Sequence, residues 1–136
     1  MKRLLLLVVF VLAALRVEAQ VQFEKGSFEK VSRMAAEHEK LLFVDLYAPW
    51  CGPCRTMDRQ VFPQKKVGEF FATHFVAVKY NVDLPVGAEL MQRYGRGAIP
   101  LYLVMRPDGT LLGRIEGMSS AEKLIADLRR IIEAER

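Results

Sequence analysis

The chain has 136 residues, of which 51% are hydrophobic and 26% charged, with a formal charge of +4 and a pI near 9.2. That length predicts one domain. The positive charge forms no basic stripe with interleaved aromatics, which excludes a nucleic-acid-binding surface of the usual kind.

Met1-Lys2-Arg3 is a basic start, and Leu4 to Leu15 is an unbroken apolar run of twelve. Twelve residues rise roughly 18 Å as a helix, well short of the ~30 Å hydrocarbon core. With Val17 and Ala19 at the −3 and −1 positions, residues 1–19 read as a cleaved secretory signal and Gln20 as the first mature residue, the alternatives being an uncleaved anchor or a buried core helix. No cysteine stands near that point, which argues against a lipid anchor. Cleavage removes Lys2, Arg3, Arg16 and Glu18, leaving a charge near +2 on residues 20–136. An exported chain is expected to be periplasmic or secreted, without stable membrane insertion after cleavage.

In the mature chain Ser27 caps a helix with Phe28, Val31, Met34 and Ala35 on one face. Leu41 to Tyr47 is near-continuously apolar and too short for a helix, so it reads as a buried central strand. Ala48-Pro49 ends it. A helix then starts near Cys51 and runs through Met57, with Pro63 as its interruption. Lys65 to Thr73 follows as a further helix packing through Val67, Phe70 and Phe71. Phe75 to Asn81 is a second strand, and Val86 to Tyr94 a short helix stopped by Gly95. Leu101 to Met105 is a third strand. Pro107-Asp108-Gly109 turns the chain into a fourth, Leu111 to Glu116. Ser119 with Glu122 makes a capping box. The last helix carries Leu124, Ile125, Leu128, Ile131 and Ile132 as an apolar stripe. Strands alternating with helices predict an α/β sheet covered on both faces. Met57, Met91 and Met105 read as core filler.

The chemistry concentrates in Trp50-Cys51-Gly52-Pro53-Cys54, which holds the chain's two cysteines. Two intervening residues let the sulfurs bond. A cysteine at a helix start meets unpaired N–H groups and the positive end of the helix dipole, and both favour its thiolate. Gly52 permits the turn, and Pro53 is tolerated where its missing N–H costs nothing. Cys51 is therefore the expected nucleophile and Cys54 the resolving thiol. Zinc has little support, because four ligands are needed and His38 and His74 lie in separate segments. A disulfide closing so small a loop would stabilise little. A lone Cys/His nucleophile would be trapped by the second cysteine.

The stretch "VDLYAPWCGPC" resembles the active-site segment of thioredoxins. The resemblance covers nearly the whole mature chain and includes Asp45, Lys79 and Asp83 of "VKYNVD", Ile99-Pro100 after "YGRGA", the "PDG" turn and Gly117. It implies the thioredoxin fold, a central mixed β-sheet with helices on both faces in a single domain. It also implies roles. Asp45 would move a proton to or from the resolving cysteine; the plain alternative is a strand-end carboxylate facing water. Lys79 would neighbour that carboxylate; otherwise it is a snorkelling strand lysine. Pro100 would follow a cis peptide bond that sets the Ile99 backbone beside Cys51 to pair with a substrate strand, where the alternative is an ordinary trans proline. Trp50 would shield the dithiol, and Gly95, Gly97, Gly117 and Met118 would line the surface around it.

Two departures stand out. Thioredoxins carry a proline where this chain has Arg59, and usually a threonine where it has Leu101. The segment "CRTMDRQVFPQKKVGEFF" instead resembles thioredoxin-like domains of exported bacterial proteins, among them the carboxy-terminal domain of the DsbD-type membrane thiol–disulfide reductase. The expectation is an exported monomer that reduces protein disulfides through Cys51 and Cys54, using no cofactor or metal, and re-reduced by a membrane dithiol donor. The Gly-Pro pair resembles reducing members. An oxidase or isomerase of the same fold is the second expectation. A chaperone-like module holding unfolded exported chains is the third.

Overall fold

The computed structural model describes residues 1–2 and 19–136. The expected signal falls on residues 3–18 for almost its whole length and so lies outside the described residues. Among those described, no helix is long and apolar enough to cross a membrane.

Five strands form one sheet in the order β1-β3-β2-β4-β5: β1 Phe23–Glu24, β2 Leu41–Tyr47, β3 Phe75–Asn81, β4 Leu101–Met105 and β5 Leu111–Glu116. β1, β3 and β2 run parallel, and β4 and β5 are antiparallel, so the sheet is mixed as expected. The helices are α1 Phe28–Glu37, α2 Gly52–Thr56, α3 Lys65–His74, α4 Pro85–Tyr94 and α5 Ala121–Glu135. Parallel neighbours need a crossover, and α2 and α3 supply it between β2 and β3.

Both faces of the sheet are covered, which is why β2 reads as one apolar run. Leu42, Val44 and Leu46 face Val31 and Ala35 of α1 and Leu90 of α4. Phe43 faces the other way, into a core with Met57, Val67, Phe71, Tyr102, Leu124 and Leu128. The Phe43 ring lies 4.7 Å from that of Phe71, 5.2 Å from Tyr102, 5.9 Å from Phe75 and 6.2 Å from Phe62. Asp45 shares this face by strand alternation.

Two local features were not foreseen and one expectation is corrected. β1 was not foreseen: a strand of two residues shows no period, and only its pairing of Phe23 with Ala77 makes it one. The helix of Cys54 runs through Met57 and ends ahead of Pro63, as expected, but its last turn is not α-helical. It continues as a π-helical turn, Met57–Val61, in which the Phe62 amide donates to the Met57 carbonyl at 3.0 Å. Arg59, unlike a proline, keeps its N–H and imposes no kink. Met57, Val61 and Phe62 are buried along this stretch, while Asp58 is exposed. Finally, Ser120 and not Ser119 caps α5. The Ser120 hydroxyl accepts from the Lys123 amide at 3.2 Å, while Ser119 Oγ is buried without a partner and Glu122 pairs with Lys66 of α3.

Candidate active site

The sequence Ala48-Pro49-Trp50-Cys51 leaves β2 and turns into α2, with Cys51 as the helix N-cap in an extended conformation. The Cys51 amide donates to the Ala48 carbonyl at 3.1 Å, and Cys51 Sγ accepts from the Cys54 amide at 3.2 Å. An N–H aimed at sulfur at a helix start is the arrangement that lowers a thiol's pKa. The two cysteines are joined in a disulfide and are 4% and 3% exposed. Gly52 and Pro53 stand exposed in the first turn.

Several elements converge on the pair. Ile99 packs on Cys51, Cys54 and Ala48, together with Tyr47 and Val82. The Ile99–Pro100 peptide bond is cis. The Gly117 amide donates to the Pro100 carbonyl at 2.8 Å and ties the end of β5 to this loop. Trp50 is 66% exposed, yet its Nε1 donates to Asp83 Oδ2 at 2.8 Å. Asp83 is held in turn, for its amide donates to the Asn81 side chain. Gly87 lets α4 close on this turn, since a Cβ there would stand 2.1 Å from the Asn81 carbonyl. Arg55 fixes the loop from the other side, donating to the Pro49 carbonyl at 2.8 Å. Gly97 and Met118 are exposed. Gly95 is a packing residue instead, because a Cβ there would meet Met91 Sδ at 2.1 Å.

Asp45 is 2% exposed and sits opposite Lys79 on β3 and Tyr102 on β4. It lies two residues before Tyr47, on the face that packs against the cysteine pair. Lys79 Nζ donates to Asp45 Oδ2 at 2.9 Å and also pairs with Asp58. Burial pushes the Asp45 carboxyl up to about 6, outweighing the pull of Lys79, and Asp58 adds repulsion. Burial works against the Lys79 charge, but Asp45 and Asp58 together hold its pKa above the ordinary value. Lys79 Nζ also lies 4.8 Å from the Tyr47 ring centroid and 4.9 Å from that of Phe23, which fixes it further. A buried carboxyl that changes charge near neutral pH is equipped for general acid–base work.

Sequence reasoning missed two residues here. Asp58 follows Cys54 by four, one helical turn, a spacing that puts it near the same helix face. Tyr102 gave no signal, since an aromatic in a buried strand reads as core. Its hydroxyl is buried without a partner, and burial with the nearby Asp45 and Asp58 charges pushes its pKa far up. Among the described residues no group of His, Cys, Asp and Glu could hold a metal ion.

Residues 28–132 match the family model of the thioredoxin-like domain. The rice protein thioredoxin Y, chloroplastic, is 30% identical over 114 residues, which are 84% of this chain and 64% of that protein; the chain thus spans less than two thirds of its length. Thioredoxin-1 of Drosophila yakuba is 31% identical over 75% of the chain and 89% of its own length. A solution structure described as a candidate disulphide-isomerase from Bacteroides thetaiotaomicron superposes with a TM-score of 0.77 at 32% identity, covering 87% of this chain and 98% of that one. The oxidised carboxy-terminal domain of DsbD from Neisseria meningitidis gives 0.62 at 25% identity, covering 74% and 89%.

Proposed function

This chain belongs to the thioredoxin superfamily, and we propose that it is an exported thiol–disulfide oxidoreductase working in the reducing direction on protein disulfides. The observation that carries the reading is the Cys51–Cys54 disulfide at a helix start, with the Cys54 amide on Cys51 Sγ and the Asp45–Lys79 pair on the sheet face behind it. Gly52-Pro53 and the likeness to the DsbD domain support the reducing direction. The apolar start of the chain supports export and a periplasmic or secreted location.

In the reduced form the Cys51 thiolate attacks one sulfur of a substrate disulfide, and the other sulfur leaves as a thiolate. Asp45 takes the proton of Cys54. The Cys54 sulfur attacks Cys51, the mixed disulfide breaks, and the second substrate sulfur leaves. The Ile99 backbone and the exposed ring of Trp50 offer the substrate a strand edge and an apolar contact. No other cofactor enters this scheme. A membrane dithiol carrier returns the two electrons, since an exported protein has no access to cytosolic reductant.

The likeness to the Bacteroides protein favours isomerisation as the second reading. Equilibration with a glutathione or dithiothreitol buffer separates the two. A reductant should fall near the thioredoxin potential of about −270 mV, and a value near about −180 mV would support an isomerase. Trapping with Cys54→Ala should freeze mixed disulfides on Cys51 and identify the substrates. A Cys51→Ser/Cys54→Ser chain that keeps its cellular role would instead support a chaperone-like module.

A further inference from the structure

The resolving step gives Asp45 a proton that it must lose before the next turnover. Asp45 has no direct exit, and its carboxyl is 3% exposed. The dithiol face cannot serve during that step, because a docked polypeptide covers it. The described residues with large exposed apolar side chains, apart from Met1, are Trp50, Leu84, Val86 and Met118. All four follow strand ends or turns at the dithiol end of the sheet.

Exposure rises stepwise in another direction. The Lys79 side chain is 19% exposed and that of Asp58 is 41%. Lys79 Nζ touches both carboxylates at once. Both residues line a cleft of about 270 Å³ walled by Val21, Phe23, Phe62 and Pro63, with Gln20 at its edge. That cleft shares no lining residue with the cysteine pair, Trp50, Ile99, Pro100 or Met118. The N-terminal arm forms its rim, held by the Val21 amide on the Phe62 carbonyl at 3.0 Å. The π-helical turn supplies Asp58 to its lining.

We propose that Lys79 and Asp58 form a proton relay from Asp45 to water through this cleft, so that Asp45 is cleared for the next turnover while a polypeptide still covers the dithiol face. The relay rests on the thiol–disulfide reading above. As Cys54 resolves the mixed disulfide, its S–H proton passes to Asp45 and its sulfur bonds to Cys51. The bond from Cys51 to the substrate breaks, and its electron pair leaves on the substrate sulfur. Asp45 then hands its proton to Lys79 as the ammonium hands one of its own to Asp58. Lys79 ends as an ammonium, and Asp58 releases the proton to water. Charged or titratable groups beside Asp45 are Lys79 from β3, Asp58 from the π-helical turn and Tyr102 from β4. Of these Asp58 is the most exposed, and it is the one that exchanges with solvent. Asp58 acts through Lys79, so it is a positioning residue and not a catalytic one.

The test uses the full chain in multiple turnover, with excess dithiothreitol as reductant and its uncatalysed reaction subtracted, against insulin, whose chains cover the dithiol face, and against oxidised glutathione, which is too small to do so. Asp58→Asn should slow the insulin reaction roughly tenfold, at or below the low end of what one proton-transfer group supplies. The loss with glutathione should be markedly smaller. Added formate or acetate should restore the insulin rate in proportion to its concentration, and Asp58→Glu should keep it. Equal loss with both substrates, no loss, or a loss that no small carboxylate restores would each overturn the relay. A wild-type chain that reduces neither substrate would overturn the activity and the relay with it. A wild type that reduces both, matched by Asp58→Asn, would overturn the relay alone.

Discussion

Phe43 and Asp45 stand two residues apart on the same face of β2, and both are almost fully buried. Phe43 meets four aromatic rings. Asp45 meets an ammonium, and its second oxygen, Oδ1, has no partner. One residue is there because burial stabilises it, the other although burial opposes it. The difference teaches where the fold spends stability: a carboxylate that could be replaced by an apolar residue is kept beside the dithiol, and the aromatic cluster next door offsets it.

That contrast can be broken experimentally. Cys51→Ser should have the largest effect. It removes the nucleophile, so disulfide reduction should fall by at least about 10³-fold while the far-UV circular dichroism stays that of the wild type. Phe43→Ala should do the reverse. It should cost about 3–5 kcal/mol in urea unfolding through the lost burial and the cavity left, with little pH dependence. Surviving folded protein should keep its redox potential.

Asp45→Asn tests the other side of the comparison and has a definite sign. A carboxyl whose pKa is higher in the folded state than in the unfolded one binds more protons when folded. Its cost to stability is therefore absent below about pH 4 and complete above the folded value of about 6. The variant should be more stable than wild type by about 2–3 kcal/mol at pH 8, with the gain vanishing towards pH 4. Lys79 keeps Asp58 as a partner, so no bare charge is left behind. The resolving step should slow by roughly 10²-fold or more. A variant that is less stable at pH 8 would remove the contrast between the two positions. Ser120→Ala should have the smallest effect, about 1 kcal/mol from the lost cap, measured by urea unfolding, against a change near zero for Ser119→Ala.

The residues show why some of this was legible in the sequence and some was not. β2, β3 and β4 are apolar or largely apolar runs, and β5 follows the Pro107-Asp108-Gly109 turn, so their limits could be read directly. The cysteine pair, Asp45, Lys79 and Ile99-Pro100 carry a motif, and the sheet register brings Asp45 and Lys79 together as expected. β1 was invisible because two residues have no period. The π-helical turn was invisible because an i→i+5 bond leaves no mark in composition. Asp58 depends on that turn and on a lysine 21 positions away, so its partnership is purely tertiary. The cap of α5 was misplaced by one residue because two serines stand side by side, and Glu122 is spaced to serve the wrong one.

Trp50 is the chain's one tryptophan, and it stands beside the disulfide with its indole N–H on Asp83. An excited indole readily gives an electron to a neighbouring disulfide. Its emission should therefore brighten when the Cys51–Cys54 bond is reduced, with no other indole to blur the signal. The protein carries its own optical gauge of oxidation state, and stopped-flow fluorescence can follow each electron pair as it arrives and leaves without any added label.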